Sequence, residues 1–281
     1  MSAIQTPATI LLAATMVAAA PTAHATGPER SGRTAKVVDL AMKAAGGADA
    51  LTGLGILKAR IHNEETTAKG EQHVTDMTAW VNGADLEQLR LQYTPRILLV
   101  DNGIKAWAMI DGQLDTRRQT PLMARMTLHD RLFPLLLPFS LGIEGVRVTS
   151  VTRATWEGDP VWKLTVEFPP NYFTTPIFNT PWELLVRRSD GRLLVAQLFA
   201  PEEYLKVGAE GVRYRFLRWE KVGPARLASD LLVVGIDQNG AESGHVRTVK
   251  VRWESLGMPS EPLFMHPKDL EAMEEGDLPG R

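Results

Sequence analysis

The stretch Val161-Trp-Lys-Leu-Thr-Val-Glu-Phe168 decides the fold of this chain. Apolar and polar side chains alternate along it, so one face carries Trp, Leu, Val and Phe and the other Val, Lys, Thr and Glu. A period of two is typical of a β-strand, because successive side chains point to opposite faces of a sheet. The stretch therefore predicts a strand with one face against a core and one face in water.

Eleven further segments are rich in β-branched and aromatic residues and are bounded by turn residues. They are residues 56–64, 73–81, 86–93, 97–100, 104–110, 146–156, 182–188, 193–199, 212–220, 231–237 and 245–253. Most intervals between them are too short for crossover helices, so we expect an antiparallel sheet. Asn102-Gly103 predicts a two-residue hairpin turn, because both residues tolerate a positive φ. Segments 193–199 and 231–237 are largely apolar on both faces, which indicates that each face is covered.

Two other segments have helical patterns. From Thr34 the apolar residues recur at helical spacing until Gly46-Gly47, which favours a helix end there. Residues 121–142 form an apolar insert that is the expected cover of the sheet, and its prolines at 134 and 138 should kink or break its helix. The insert residues expected to face one way are Met123, Met126, Thr127, Phe133 and Leu137.

The two ends of the chain differ from its middle. Residues 1–25 contain no Asp, Glu, Lys or Arg, and an apolar stretch there leads to Ala23-His-Ala25, so we expect an export signal cleaved after Ala25. A short membrane anchor is the alternative for this segment. Residues 26–33 should be a linker, 34–254 a single domain, and 255–281 a proline-rich and acidic extension that ends in a short helix. No later stretch is long and apolar enough to span a bilayer, so a soluble mature protein is expected.

Composition excludes several classes of protein. The 281 residues contain no cysteine, which excludes disulfides, thiolate metal sites and a lipid anchor on cysteine. The 31 basic and 33 acidic residues leave no basic excess, which argues against nucleic-acid binding. The histidines are dispersed without metal-ligand spacing, and motifs for nucleophilic serines and phosphate loops are absent. We therefore expect no metal, no cofactor and no catalytic residue, and we interpret His129-Asp130 as part of a solvated helix face.

The positive feature is a supply of large, adaptable apolar side chains. The chain has seven Trp and ten Met, and many of them fall in the first strands and the insert. Such residues suit an adaptable apolar cavity, and they suit an ordinary core equally. The candidate cavity residues are Met77, Trp107, Met109, Met126, Phe133, Leu136, Leu137, Trp162 and Trp219.

The order of these elements resembles a known family. A helix that ends in Ala-Ala-Gly-Gly-Ala-Asp-Ala-Leu at 44–51, the strand pair around 100–107, the mid-chain insert and the segments 161–166 and 184–193 are similar to the LolA-like periplasmic lipoprotein-carrier superfamily. The resemblance covers roughly residues 37–253. It implies a mainly β (α+β) fold, an incomplete antiparallel β-barrel of about eleven to twelve strands whose concave face is covered by helices. It also implies an apolar cavity that accepts lipid or acyl chains.

Two functions remain open at this point. The first is a periplasmic protein, of carrier or sensor type, that binds a hydrophobic ligand such as a lipid or the acyl chains of a lipoprotein. The alternative is an envelope interaction or scaffold module without a ligand, which would use strand edges or the proline-rich extension. The expected partner is a hydrophobic ligand in the first case and an envelope protein in the second, and nucleic acid is expected in neither.

Overall fold

The fold is known from a computed structural model, and its dominant element is one antiparallel sheet. The structure describes residues 32–67, 69–170, 172–173, 179–201, 211–258 and 262–274. The predicted signal and its cleavage site lie outside the described residues. Helix α1 (Gly32–Ala44) begins two residues inside the predicted linker and is followed by two short 3₁₀ turns, Ala48–Ala50 and Thr52–Leu54.

Thirteen described strands form the sheet. In chain order, β1 to β13 are Ile56–Thr66, Gln72–Asn82, Asp85–Thr94, Ile97–Asn102, Ala106–Ile110, Gln113–Leu114, Arg147–Trp156, Asp159–Glu167, Trp182–Arg187, Leu193–Leu198, Gly211–Val222, Ala225–Ile236 and Glu242–Gly257. Their spatial order is β6-β5-β4-β3-β2-β1-β13-β12-β11-β10-β9-β8-β7, so each half of the chain is a meander and β1 pairs with β13 to join the halves. The sheet is not closed, because β6 and β7 are edges. All twelve predicted strands are confirmed; β6 has only two residues, too few to show a pattern.

The predicted alternation along β8 is confirmed on the face that packs against the core. On the face predicted to be in water, it is wrong at one position. Leu164 and Val166 are buried in the main core, whose side of the sheet is called the inner face below. Val161, predicted to face water, is also buried, in a small second cluster with Leu185 and Val195. The cluster forms because neighbouring strands β8, β9 and β10 each place one apolar side chain there, which no single strand reveals.

The turn between β4 and β5 is wider than predicted. Ladder pairing stops at Asp101 opposite Ala106, and the Asn102 N–H donates one further backbone bond to the Lys105 carbonyl at 3.2 Å, so three residues, 103–105, connect the strands rather than two. The Asp101 carboxylate accepts a hydrogen bond from the Gly103 N–H at 3.0 Å. The side-chain oxygen of Asn102 accepts from the next two N–H groups, at 3.1 and 2.9 Å. These side chain–backbone bonds stabilise the longer turn.

The insert forms helix α2 (Thr120–Leu132) and two 3₁₀ segments, Phe133–Leu136 and Phe139–Gly142. The predicted break near the prolines is confirmed, because the α-helix stops just before Pro134. The expected facing is wrong for part of the insert. The helix buries Ala124, Leu128 and Leu132, whereas Met123, Met126 and Thr127 lie off this row and Met123 is 48% exposed. The buried residues are four apart, which places them on one helix face. Residues 120–142 are called the cover below.

The C-terminal extension contacts the N-terminal half of the sheet. Its first residues continue β13, and helix α3 (Pro267–Glu274) lies near its end. The ring of His266 meets the edge of Trp107 with centroids 5.0 Å apart. An ion pair of 3.1 Å joins Lys105 to Asp269. The extension is therefore docked on the sheet at β5 and the preceding turn.

Candidate functional site

The candidate site is the inner face of the sheet beneath the cover. Phe133, Leu136 and Leu137 are all buried there, in one core cluster with α1 and the inner side chains of the sheet. The space that a ligand would use is thus filled by the cover itself. A crevice of only 10 Å³ remains between α1 and the cover, lined in part by Ala41, Pro138 and Trp219. This is too small for a ligand and barely holds one water.

Of the nine residues predicted to line a cavity, the structure brings four into this cluster. These are Met77, Phe133, Leu136 and Leu137. Trp162 and Trp219 lie half-buried at its border. Trp107, Met109 and Met126 are not part of it. The first two of these alternate with Ala106 and Ala108, which take the inner positions of β5, so they lie on the opposite face of that strand.

Phe133 is the centre of an aromatic cluster that the sequence analysis missed. Its ring lies 4.8 Å from Phe173, 5.0 Å from Phe168 and 5.2 Å from Trp182, between ring centroids. All three are edge-to-face contacts, a favourable geometry for aromatic pairs. Trp182 also stacks on Tyr214 at 5.8 Å. The dense aromatic residues between positions 168 and 182 were the signal that could have revealed this cluster.

Two ion pairs join the cover to the sheet among the described residues. Arg125 of α2 binds both carboxylate oxygens of Asp101 on β4, at 2.5 and 2.9 Å. Asp130 of α2 accepts from Arg247 of β13 at 3.3 Å. Burial alone would raise the pKa of Asp130. The positive charges of Arg247 and Arg131 outweigh this effect, so the pKa of Asp130 is lowered on balance. These pairs attach the cover to both halves of the sheet.

Several polar atoms beneath the cover have no hydrogen-bond partner in the described part of the chain. They are His129 Nδ1, Ser140 Oγ and the Tyr214 hydroxyl. His129 is 8% exposed and stacks on Tyr172, so its predicted place on a solvated face is wrong. Burial lowers the pKa of His129 to about 4 and raises that of Tyr214. The site is therefore mainly apolar, with these polar groups and the Asp130–Arg247 ion pair within it, and both rings are neutral at pH 7.

A second concavity lies on the opposite, outer face of the sheet. It is an open groove of 1030 Å³ over the central strands. Its lining includes Arg60 and His62 of β1, Thr78 of β2, and Lys250 and Arg252 of β13. These residues alternate with buried ones such as Ile61 and Val251, which also line the groove together with Trp219 and three carboxylates, so its surface is mixed and contains charges of both signs. Sequence reasoning missed it because β1 and β13 are nearly 190 positions apart and meet only through their pairing.

Two features common to other classes of site are missing from the described residues. No group of three or more His, Cys, Asp or Glu side chains there could hold a metal ion. No described helix has the length and apolar character needed to cross a membrane.

Comparison with known proteins shows which solved structures share this architecture. No family model matches the sequence, and no curated protein matches it significantly. Solved structures do match. A LolA superfamily protein from Nitrosomonas europaea aligns with a TM-score of 0.54 and 9% identity, over 83% of this chain and 98% of that one. The chain has a LolA-like fold.

Two other solved structures share this LolA-like fold. A DUF1329 family protein from Desulfovibrio piger has a TM-score of 0.54 and 11% identity, over 83% of this chain and 98% of that one. An outer membrane lipoprotein-sorting protein domain from Vibrio parahaemolyticus has a TM-score of 0.52 and 13% identity, over 84% and 98%. At such identities the likeness establishes the fold and leaves the ligand open.

Proposed function

We propose that this protein binds an apolar ligand non-covalently on the inner face of its LolA-like sheet, in the space that the cover now fills. The ligand class is a long acyl chain, free in a lipid or attached to a lipoprotein. One observation carries the proposal: a cover that fills the inner face with Phe133, Leu136 and Leu137 also buries polar atoms that have no hydrogen-bond partner among the described residues. A purely structural cover would satisfy such groups, since buried polar groups in native proteins are almost always hydrogen-bonded.

The energetics favour a cover that moves. Each buried polar group without a partner costs about 1–3 kcal/mol, so His129 and Tyr214 weaken the closed state relative to an apolar core of the same shape. When the cover moves away, it exposes apolar surface to water, which costs a free energy of about 25 cal/mol per Å². An acyl chain removes that cost by occupying the same surface. Because the acyl chain binds only when the cover has moved, it shifts the equilibrium toward that arrangement.

The proposed setting is the periplasm, reached through the export signal predicted at residues 1–25. The name of the Vibrio parahaemolyticus domain, a lipoprotein-sorting protein, makes a lipoprotein acyl chain one candidate ligand. A carrier or sensor role, rather than catalysis, suits a site whose buried face contains aromatic and aliphatic side chains.

The experiment has two arms. Native mass spectrometry of protein purified from its own envelope should show a bound lipid, and titration with a fluorescent fatty acid should saturate. Leu136→Gln places an amide on the apolar surface and is expected to weaken fatty-acid binding about tenfold or more, from the cost of an unpaired polar group. Leu122→Gln is the matched control, because Leu122 lies on the same cover but is 52% exposed.

The design separates binding from folding. Circular dichroism and thermal unfolding of both variants identify any loss that comes from misfolding. The proposal fails if purified protein contains no lipid and ignores both fluorescent lipids and acylated peptides. It also fails if folded Leu136→Gln binds the fatty acid as tightly as the Leu122→Gln control.

Cover movement has its own measurement. The chain contains no cysteine, so an introduced pair such as Met123→Cys on the cover and Glu254→Cys on β13 accepts spin labels at those sites alone. Both residues are exposed. The distance between the labels should change when acyl ligand is added. An unchanged distance with saturated ligand would show that the ligand binds elsewhere.

A second candidate function is protein interaction through the docked extension. Besides the contact of His266 with Trp107, it is attached to the sheet by polar contacts, the exposed Lys105–Asp269 pair and a partly buried 3.1 Å bond from Arg90 to the Leu263 carbonyl. A partner could replace such contacts at low cost. A chain that ends at Met258 removes α3 and keeps β13. In a pull-down, loss of a partner with retained fatty-acid binding would favour this second function over the carrier.

A further inference from the structure

Two arginines lie directly opposite each other on the outer face of the sheet. Arg60 of β1 pairs in register with Arg252 of β13, and both side chains are exposed. Like charges at directly opposed positions of neighbouring strands destabilise a sheet, because their side chains are held about 5 Å apart. The pair lies where the two halves of the sheet join.

The neighbouring charges on either side already have partners. On one side of the arginine pair, His62 binds Asp76 at 2.7 Å, and Lys250 lies opposite both His62 and Asp230. On the other side, Lys58 lies opposite Glu254. The charges in these two rows therefore alternate or balance.

The row between them has no such balance. Beyond Arg60 the next residue across the sheet is Thr78 of β2, which is neutral. Among the described residues, no carboxylate oxygen lies within 4.0 Å of either arginine side chain. Arg60, Thr78 and Arg252 all line the open groove of 1030 Å³. The groove is also lined by three carboxylates, and each has its own partner: Asp76 binds His62 at 2.7 Å, Asp230 binds Arg218 at 3.3 Å, and Glu220 accepts from the Trp253 N–H at 3.4 Å. The row of Arg60 and Arg252 thus presents two guanidinium groups and a hydroxyl to a space large enough for a ligand.

From this arrangement we propose that Arg60 and Arg252 form a binding site for a phosphate-type oxyanion on the outer face. Guanidinium groups donate pairs of parallel N–H bonds that match phosphate oxygens, and two of them can hold one tetrahedral anion from both sides. The Thr78 hydroxyl can donate a further bond. Inorganic phosphate, a soluble phosphate ester and the headgroup of an anionic phospholipid share this chemistry. The site goes beyond the acyl-chain site of the inner face and does not depend on it.

The first test uses inorganic phosphate as the probe. Thermal unfolding and calorimetric titration are measured in phosphate and in chloride at equal, low ionic strength. Phosphate should raise the melting temperature of the natural protein. Arg60→Gln combined with Arg252→Gln should abolish that rise and weaken phosphate binding by about tenfold or more, since two charge-assisted contacts are lost.

The control variant has the same change in net charge. Arg118→Gln combined with Arg153→Gln removes two exposed arginines that lie elsewhere on the surface. It should respond to phosphate as the natural protein does. If the double variant at Arg60 and Arg252 keeps the full phosphate response, or if the control loses it equally, the site is wrong.

The second test identifies the source of the phosphate. Flotation with vesicles of phosphatidylcholine, with and without phosphatidylglycerol, shows whether a lipid headgroup is bound. Vesicle binding that needs phosphatidylglycerol and both arginines assigns the site to a lipid headgroup, whereas a phosphate response without vesicle binding assigns it to a soluble phosphate. Absence of both responses overturns the proposal. Fatty-acid titration of the same variants should be unchanged, so failure here leaves the inner-face function to be judged separately.

Discussion

Acid should destabilise the closed cover through a single buried histidine. His129 of α2 is 8% exposed, and desolvation lowers its pKa from 6.5 to about 4. Asp101 opposes this shift and Arg125 adds to it, and both face the ring from the cover–sheet contact. The folded protein therefore binds fewer protons than the unfolded chain between these two pKa values. The stabilisation is complete above pH 6.5 and is lost as the pH falls toward 4.

The magnitude follows from the two pKa values. Relative to pH 7, this histidine alone should lower the free energy of unfolding by about 2 kcal/mol at pH 5 and by about 3 kcal/mol at pH 4. For a domain of this size, a loss of about 2 kcal/mol lowers the melting temperature by roughly 4–8 °C. Because the residue lies within the cover, the same protonation should favour the open arrangement and change acyl-chain binding.

The assay is urea unfolding followed by tryptophan fluorescence between pH 7 and pH 4. His129→Phe keeps an aromatic ring next to Tyr172 and removes the titrating nitrogens. Between pH 7 and pH 5 the free energy of unfolding of this variant should therefore fall by about 2 kcal/mol less than that of the natural protein. His73→Gln, at an exposed histidine on β2, controls for surface titration. If His129→Phe loses as much stability as the natural protein over this range, the histidine is not buried in its neutral form and the reasoning is refuted.

Two further predictions concern stability alone. Asp101→Asn should lower the free energy of unfolding, measured in urea, by about 2–3 kcal/mol, because it leaves Arg125 without its partner at a partly buried position. Asp111→Asn, at an exposed ion pair, should change the free energy of unfolding little. Similar losses in the two variants would contradict this prediction. Gly46 and Gly47 both have positive φ, at 115° and 105°, but only a Cβ at Gly46 would lie 2.2 Å from a carbonyl oxygen of the β11–β12 turn. Gly46→Ala should therefore lower the melting temperature clearly more than Gly47→Ala, and equal shifts would exclude the close approach as the cause.

The order of elements could be predicted because it depends on local pattern. The alternation in Val161–Phe168 and its counterparts gives the strands, and glycine and asparagine turns give their limits. The turn at Asn102 was predicted too short because Asp101 and Asn102 themselves bind the backbone of the turn, which the pair Asn-Gly does not reveal.

The candidate site could be predicted only in part, because facing depends on register and on packing partners. Phe133 and Leu137 were expected to face one way together with Met123, Met126 and Thr127, and only these two of the five are buried. Trp107 was expected to line the cavity because methionines and flat aromatic rings suit an adaptable apolar site, yet the alternation of β5 gives the inner positions to two alanines. The cover packs against those alanines, and small residues there allow its close approach. A large residue can therefore be displaced to the outer face, where the extension covers it.

The route by which a ligand reaches the inner face also follows from these contacts. Parting the sheet would require breaking the pairing of β1 with β13, in which all eleven residues of β1 have a partner. Lifting the cover breaks two ion pairs among the described residues and exposes apolar surface that the incoming acyl chain covers again. The proline-interrupted 3₁₀ segments after Leu132 provide hinge positions, since they lack the continuous hydrogen bonds of an α-helix. We therefore expect the cover to move while the sheet keeps its register, so that exchange of the amide protons of β1 stays slow when ligand is added and exchange in α2 becomes faster.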